Sequence, residues 1–200
     1  MARCRGKVAF ITGGSRGIGR AIARRLSAEG ASVVLSASRM GAHGNLEGTL
    51  EDSVVQIESA GGRAAAVAAD LSDAGARSDL VARAAEAFGP IDILVNNAAG
   101  ARMKLPSRAT HEDRSFMYDL NVNAPVDLAQ QAIPSMRERG AGWILNISSA
   151  TSYQPAVPYR DTKEAALIIG PYGATKAALD RYTLALADEV AEYGIFVNAM

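Results

Sequence analysis

The chain has one cysteine, Cys4, in 200 residues. No internal disulfide can form, so a disulfide-framed secreted domain is excluded. Histidine is nearly as scarce. His43 and His111 stand far apart, and neither has a Cys or His neighbour at ligand spacing. No metal site is expected, and both read as surface or capping residues. Net charge is also absent, since 21 basic residues balance 21 acidic ones. Bulk charge therefore gives no basis for a nucleic acid or anionic membrane partner, although a local basic patch stays open. No apolar run approaches the roughly 18 residues of a membrane span. The apolar stretch Val8–Ile11 is too short for a signal-peptide core, and the expected compartment is the cytoplasm. Repeats, low-complexity segments and Pro/Ser-rich linkers are missing as well.

What is present is an ordinary globular mixture, 48% hydrophobic and 21% charged, long enough for one well-filled domain. Apolar runs alternate with helical stretches. The expected strands are Lys7–Thr12, Ser32–Ala37, Ala64–Ala69, Ile91–Asn96, Trp143–Ser148 and Ile195–Met200. The expected helices are Gly17–Glu29, Leu50–Ser59, Ala74–Phe88, His111–Arg139 and Tyr172–Tyr193. Ile18, Ile22 and Leu26 recur every four residues, which gives the first helix one apolar face. Several strands are continuous apolar runs, the pattern of strands buried on both faces. Strand–helix alternation with short connections predicts an α/β fold, a Rossmann-type doubly wound parallel sheet in three layers with at least six strands. Pro125 and Pro134 are expected to kink or break the long helical stretch.

Thr12-Gly13-Gly14-Ser15-Arg16-Gly17-Ile18-Gly19 follows the first strand and opens the first helix. Glycine permits positive φ and close approach of a phosphate. A helix N-terminus offers unpaired N–H groups and partial positive charge to a pyrophosphate. A tight βα turn would use similar residues. The strand before and the helix after make this a candidate dinucleotide loop, with spacing G-x-x-x-G-x-G.

That loop is joined by Asn96-Asn97-Ala98-Ala99-Gly100 after the fourth strand and by Tyr172-Gly173-Ala174-Thr175-Lys176 at the start of a late helix. Together they resemble the classical short-chain dehydrogenase/reductases. The likeness covers essentially the whole chain and includes Asp70-Leu71, Asn121 and Ser149. It implies a tetrad of Asn121, Ser149, Tyr172 and Lys176. Four residues apart, Tyr172 and Lys176 share one helix face. A nearby ammonium is expected to lower the tyrosine pKa from about 10 toward neutrality. Tyr172 would then be general acid in carbonyl reduction or general base in alcohol oxidation. Lys176 would hold the nicotinamide ribose, Ser149 would bond the substrate oxygen, and Asn121 would hold a water leading to Lys176.

Tyr159 and Lys163 form a second Y-x-x-x-K pair. Small residues between Tyr172 and Lys176, and the long helix and strand that follow them, favour the later pair. This choice makes 150–171 an enlarged loop on the substrate side. With Arg102, Met103, Lys104 and Leu105 it is expected to line the pocket entrance.

The resemblance places an acidic NAD-selecting residue at the end of strand two, where this chain has Ala37. Ser38 and Arg39 follow, and Arg16 lies in the glycine loop. Two guanidiniums suit the 2′-phosphate of NADP, so NADP(H) is expected ahead of NAD(H). Asp70 and Leu71 would meet the adenine, and Asn97 and Ala98 the adenosine ribose. Gly13, Ser15, Arg16, Gly17, Ile18 and Gly19 would hold the phosphates. Arg20, Arg24 and Arg25 read as a solvated helix face.

The implied partners are a small carbonyl or alcohol substrate and further copies of the chain. A homodimer or homotetramer would form through the helices at His111–Arg139 and Tyr172–Tyr193. Two rivals remain: a nucleotide-binding protein without turnover, and an epimerase with tightly held NAD. A methyltransferase would share the glycine loop but not the Tyr/Lys helix. The substrate is not readable from these residues. Ile195–Met200 reads as strand six, whereas the family continues into a substrate-covering segment, another strand and a helix. The sequence is thus expected to be a C-terminally truncated, weakly active form of a longer enzyme.

Overall fold

The computed structural model describes residues 2–42, 47–153 and 167–200. Six strands form one sheet: β1 (Val8–Thr12), β2 (Ser32–Ala37), β3 (Arg63–Ala68), β4 (Ile93–Asn96), β5 (Gly142–Asn146) and β6 (Ile195–Ala199). Every pairing is parallel and the order is β3-β2-β1-β4-β5-β6. The chain leaves β1 first toward β2 and β3, then returns to the other side of β1 for β4. That reversal opens a crevice above the carboxyl ends of β1 and β4, where such sheets bind ligands.

Helices cover both faces. On one face lie α1 (Gly17–Ala28) and α2 (Leu50–Ser59). Ala9, Ile11, Val33, Leu35 and Val95 of the strands pack there with Ala23, Leu50 and Ile57. On the other face lie α3 (Ala74–Arg77), α4 (Leu80–Phe88), α5 (His111–Tyr118), α6 (Ala124–Arg139) and α7 (Gly170–Val190). Phe10, Val34, Leu94 and Ile144 pack there with Leu80, Leu128, Met136 and Leu186. Alternate residues of one strand thus feed two cores, which is why the strands read as continuous apolar runs. Trp143 and Phe196 are exposed, stacked 6.5 Å apart at neighbouring register positions of β5 and β6.

Two expected helices are interrupted. Ala74–Phe88 divides at Ser78 and Asp79 into α3 and α4. His111–Arg139 is interrupted by a π turn at Asp119–Asn123, directly ahead of Pro125, whose missing N–H leaves the Asn121 carbonyl without its i+4 partner. Pro125 sits in the first turn of α6, where an N–H is dispensable, and Pro134 lies inside α6. The late helix begins at Gly170, ahead of Tyr172, and ends at Val190 before a 3-10 turn.

Buried polar side chains lock the register at the carboxyl ends of the central strands. Asn96 and Asn146 are register partners. Asn96 Nδ2 donates to Asn146 Oδ1 at 2.8 Å, and Asn146 Nδ2 donates to Thr183 Oγ1 of α7 at 2.8 Å. All three residues are buried. Thr183→Val keeps the volume but strands the Asn146 donor, at a cost of about 1–3 kcal/mol. Urea unfolding should register that loss, and a variant as stable as the parent would refute the importance of this chain.

Candidate active site

A cleft of about 730 Å³ opens above β1 and β4, walled by the glycine loop, the end of β2, Asp70–Ser72 and the loop after β4. Gly13 adopts φ +67°. Gly19 lies so close to that loop that a Cβ would collide with the Gly13 carbonyl and lie 2.5 Å from Asn97 Nδ2. Thr12, buried at the end of β1, ties the two sides of the switch point together. Its Oγ1 accepts from the Asn97 and Ala98 amides at 3.0 Å each. Asn97 Nδ2 donates to the Thr12 carbonyl at 2.9 Å.

Several of these features suit an anionic dinucleotide. No side chain caps α1 and no acid occupies its first turn, so its N–H groups stay available. Arg16 has a buried Nη1 with no hydrogen-bond partner among the described residues. A buried guanidinium nitrogen without a partner is costly unless a ligand completes it. Ser38 and Arg39 are exposed on the same wall, and Ala37 ends β2 without a carboxylate. Asp70 is exposed, with Oδ1 accepting from the Ser72 amide and hydroxyl. Leu71 is buried beneath it.

Two arginines brace the walls. Arg20 is half-buried rather than solvated: Nη2 donates to the Ser15 carbonyl, and Nε donates to Ser53 Oγ of α2 at 2.9 Å. This corrects the reading of Arg20 as part of a solvent face; Arg24 and Arg25 remain exposed. Arg77 is buried, donating to Asp127 at 2.6 Å and to the Leu71 carbonyl at 2.9 Å. Sequence reasoning placed Thr12 at the head of the glycine loop without its bonding role, and it missed Arg77, since a lone Arg carries no spacing signal.

The tetrad candidates stand beside the cleft. Asn121 lies in the π turn and is fully buried. Its Oδ1 accepts from the Gly100 amide, and its Nδ2 donates to the Gly100 carbonyl and to Thr175 Oγ1, at 2.9–3.0 Å. The Asn121 side chain therefore works as a clamp between elements. Its carbonyl is another matter, because Pro125 has no N–H to return to it. Ser149 follows β5, with Oγ accepting from Thr151 Oγ1 at 2.9 Å. Lys176 is buried on α7 and donates to the Ile147 carbonyl at 2.7 Å, two residues before Ser149. Its ammonium is 5.7 Å from the centre of the Tyr172 ring. Tyr159 and Lys163 lie outside the described residues, as does His43.

The electrostatics of the pair depart from expectation. Burial pushes the Tyr172 phenol above its ordinary value, and Lys176 does not reverse this. Burial pushes Lys176 down to about 8, with Asp180 opposing in part. At the pocket entrance Lys104 is not free, since Asp113 holds it at 2.8 Å, while Arg102 and Met103 are exposed. Tyr118 and Leu184 are exposed on the helices expected to form an interface. Among the described residues no cluster of His, Cys, Asp or Glu could hold a metal, and no helix is long and apolar enough to cross a membrane.

A model of the short chain dehydrogenase family matches residues 7–200. The chain belongs to that family. It is 36% identical over 200 residues to the oxidoreductase UcpA of Salmonella typhimurium, covering 100% of this chain and 70% of that protein. A short chain dehydrogenase of Pseudocercospora fijiensis is 34% identical over 203 residues, covering 100% of this chain and 60% of its own length. Among solved structures, the 3-oxoacyl (acyl-carrier-protein) reductase of Agrobacterium tumefaciens C58, with NADP bound, superposes with a TM-score of 0.85 at 34% identity. That match covers 99% of this chain and 70% of the reductase. The chain thus spans 60–70% of the length of these relatives.

Lys176 sets a pH signature that needs no substrate. Below pH 8 it is charged both folded and unfolded, and its burial opposes folding. Between about 8 and 10.5 the unfolded chain keeps a proton the folded chain has released, so this residue's contribution to stability rises with pH. Any stability advantage of Lys176→Met over the parent should therefore shrink by at most about 3 kcal/mol from pH 8 to 10 in urea unfolding. A gap independent of pH would refute the buried, lowered lysine.

Proposed function

We propose that the chain is the dinucleotide-binding and catalytic part of an NADP(H)-dependent oxidoreductase acting on a carbonyl or secondary alcohol. The observation that carries this reading is the buried Lys176, bonded at the strand end leading to Ser149 and facing Tyr172. The presence of NADP in the Agrobacterium reductase supports the cofactor, as does the unpartnered Arg16 nitrogen.

Gly13, Ser15, Arg16, Gly17, Ile18 and Gly19 hold the phosphates, with Arg16, Ser38 and Arg39 around the 2′-phosphate. Asp70 and Leu71 bound the adenine, and Asn97 and Ala98 the adenosine ribose. Bound NADP(H) supplies the hydride chemistry. Ser149 Oγ donates to the substrate oxygen and stabilises charge growing there. The Tyr172 hydroxyl gives its proton to that oxygen in reduction or takes it in oxidation. Lys176 orients the ribose and adds positive charge beside Tyr172. The Asn121 carbonyl, free of Pro125, holds the water that links Lys176 to solvent.

Titration should show NADPH bound more tightly than NADH by about tenfold or more, a gap that Arg39→Ala narrows. Tighter binding of NADH would sink the cofactor assignment. Over a panel of carbonyl compounds, Tyr172→Phe should lower NADPH-dependent turnover by a factor on the order of 100 or more. Tyr159→Phe should be near the parent; the reverse pattern would move the active tyrosine to position 159.

A further inference from the structure

The loop after β4 carries a cation that the cofactor assignment leaves unused. Arg102 lies on the cleft wall with Phe116 and Leu120. Its guanidinium carbon stands 4.1 Å from the centre of the Phe116 ring. Stacking covers the flat face of a guanidinium and leaves the N–H edge, the edge that forks onto an anion. Among the described residues no carboxylate pairs with Arg102, whereas Lys104 is neutralised by Asp113.

The loop holds this arm in place. Both backbone groups of Gly100 bond the Asn121 side chain. The Arg102 amide reaches Met117 Sδ at 3.4 Å. A Cβ at Gly100 would lie 2.8 Å from Leu120 Cδ2 and 3.1 Å from the Phe116 ring, so glycine lets that ring come directly against the loop.

The place of Arg102 in the cleft decides what it meets. Ser38, Arg39 and Asp70 wall the β2–β3 side, and Ser15–Ile18 wall the middle. Arg102 belongs to the β4 side. Tyr172 and Ser149 stand outside this cleft, beyond that side. A dinucleotide extended from Asp70 toward Tyr172 passes its pyrophosphate between the start of α1 and the loop after β4. We propose that Arg102, seated on Phe116, grips the pyrophosphate from the β4 side, opposite the N-terminus of α1. The inference rests on the dinucleotide reading above and gives Arg102 a binding role only. An acidic group on the substrate is the competing source of the same anion chemistry.

Fluorescence titration of the 200-residue chain with NADPH and with 2′-AMP, at low and high salt, separates these cases. The second ligand has the adenosine end with its 2′-phosphate but no phosphate at the 5′ position. Arg102→Met should weaken NADPH about tenfold, flatten its salt dependence, and leave 2′-AMP within about twofold. Arg102→Lys should keep the salt dependence, and Phe116→Leu should give an intermediate loss. Unchanged NADPH affinity in Arg102→Met overturns the proposal, including the case in which only KM for carboxylated ketones rises. Equal weakening of both ligands also overturns it, because that marks a distorted cleft. If the folded parent chain binds neither ligand, the dinucleotide reading fails and takes the inference with it. A parent that binds, with an indifferent variant, removes the inference alone.

Discussion

The buried amide of Asn121 is the point on which the site depends. It joins three elements that are distant in sequence: the loop after β4, the α5–α6 junction and α7. Thr175, which receives the Asn121 amide, donates in turn to the Tyr172 carbonyl at 2.7 Å. Asn121 thereby bonds the first turns of α7, about fifty positions away, the stretch that carries Tyr172. Each bond is strong in effect because the alternative is a buried polar group without a partner, at about 1–3 kcal/mol. The π turn belongs to the same device, since such turns redirect a side chain within an otherwise regular helix. Its cost is the broken i→i−4 pattern, and Pro125 just beyond it could not have closed that pattern anyway.

The same logic runs along the carboxyl edge of the sheet. Apolar packing tolerates exchange of one aliphatic side chain for another. It fixes which face is buried and leaves finer placement loose. Thr12 with Asn97, Asn96 with Asn146 and Thr183, and Lys176 with the Ile147 carbonyl do the finer work. Each links a strand end to the next element that carries a candidate site residue. Arg20 and Arg77 play a matching part in the cleft walls, where their value lies in holding the Ser15 and Leu71 carbonyls. Their charge is directed inward, which leaves Arg16, Arg39 and Arg102 as the cations that face the cleft among the described residues.

The architecture could be read from periodicity and punctuation because those signals are local. Continuous apolar strands, glycines after β1 and a Tyr/Lys pair one turn apart each declare themselves within a few residues. The breaks were less visible for the same reason. Pro125 marks the break in the sequence, since it has no N–H for the Asn121 carbonyl, yet the π turn lies ahead of it at Asp119–Asn123, where Asn121 is pulled toward Gly100 and Thr175. That pull is a tertiary effect with no local mark. Arg20 looks like its neighbours Arg24 and Arg25 on paper, and only the approach of Ser15 and Ser53 sets it apart. The tetrad candidates were nameable by resemblance, but the clamp made by Asn121 and the pairing of Lys104 with Asp113 required geometry.

Tyr172 and Lys176 show how far burial bears on chemistry. Both are driven toward their neutral forms, the phenol upward and the ammonium downward. At 5.7 Å from the ring centre, with its proton directed to the Ile147 carbonyl, Lys176 does not by itself make the phenolate favourable. On the proposed assignment the two reaction directions are then unequal. Reduction asks Tyr172 to hold a proton until the substrate oxygen needs it, which burial favours. Oxidation asks for a phenolate, which burial opposes unless further positive charge enters the site. The protein alone thus prepares the acid, and the base depends on what binds beside it.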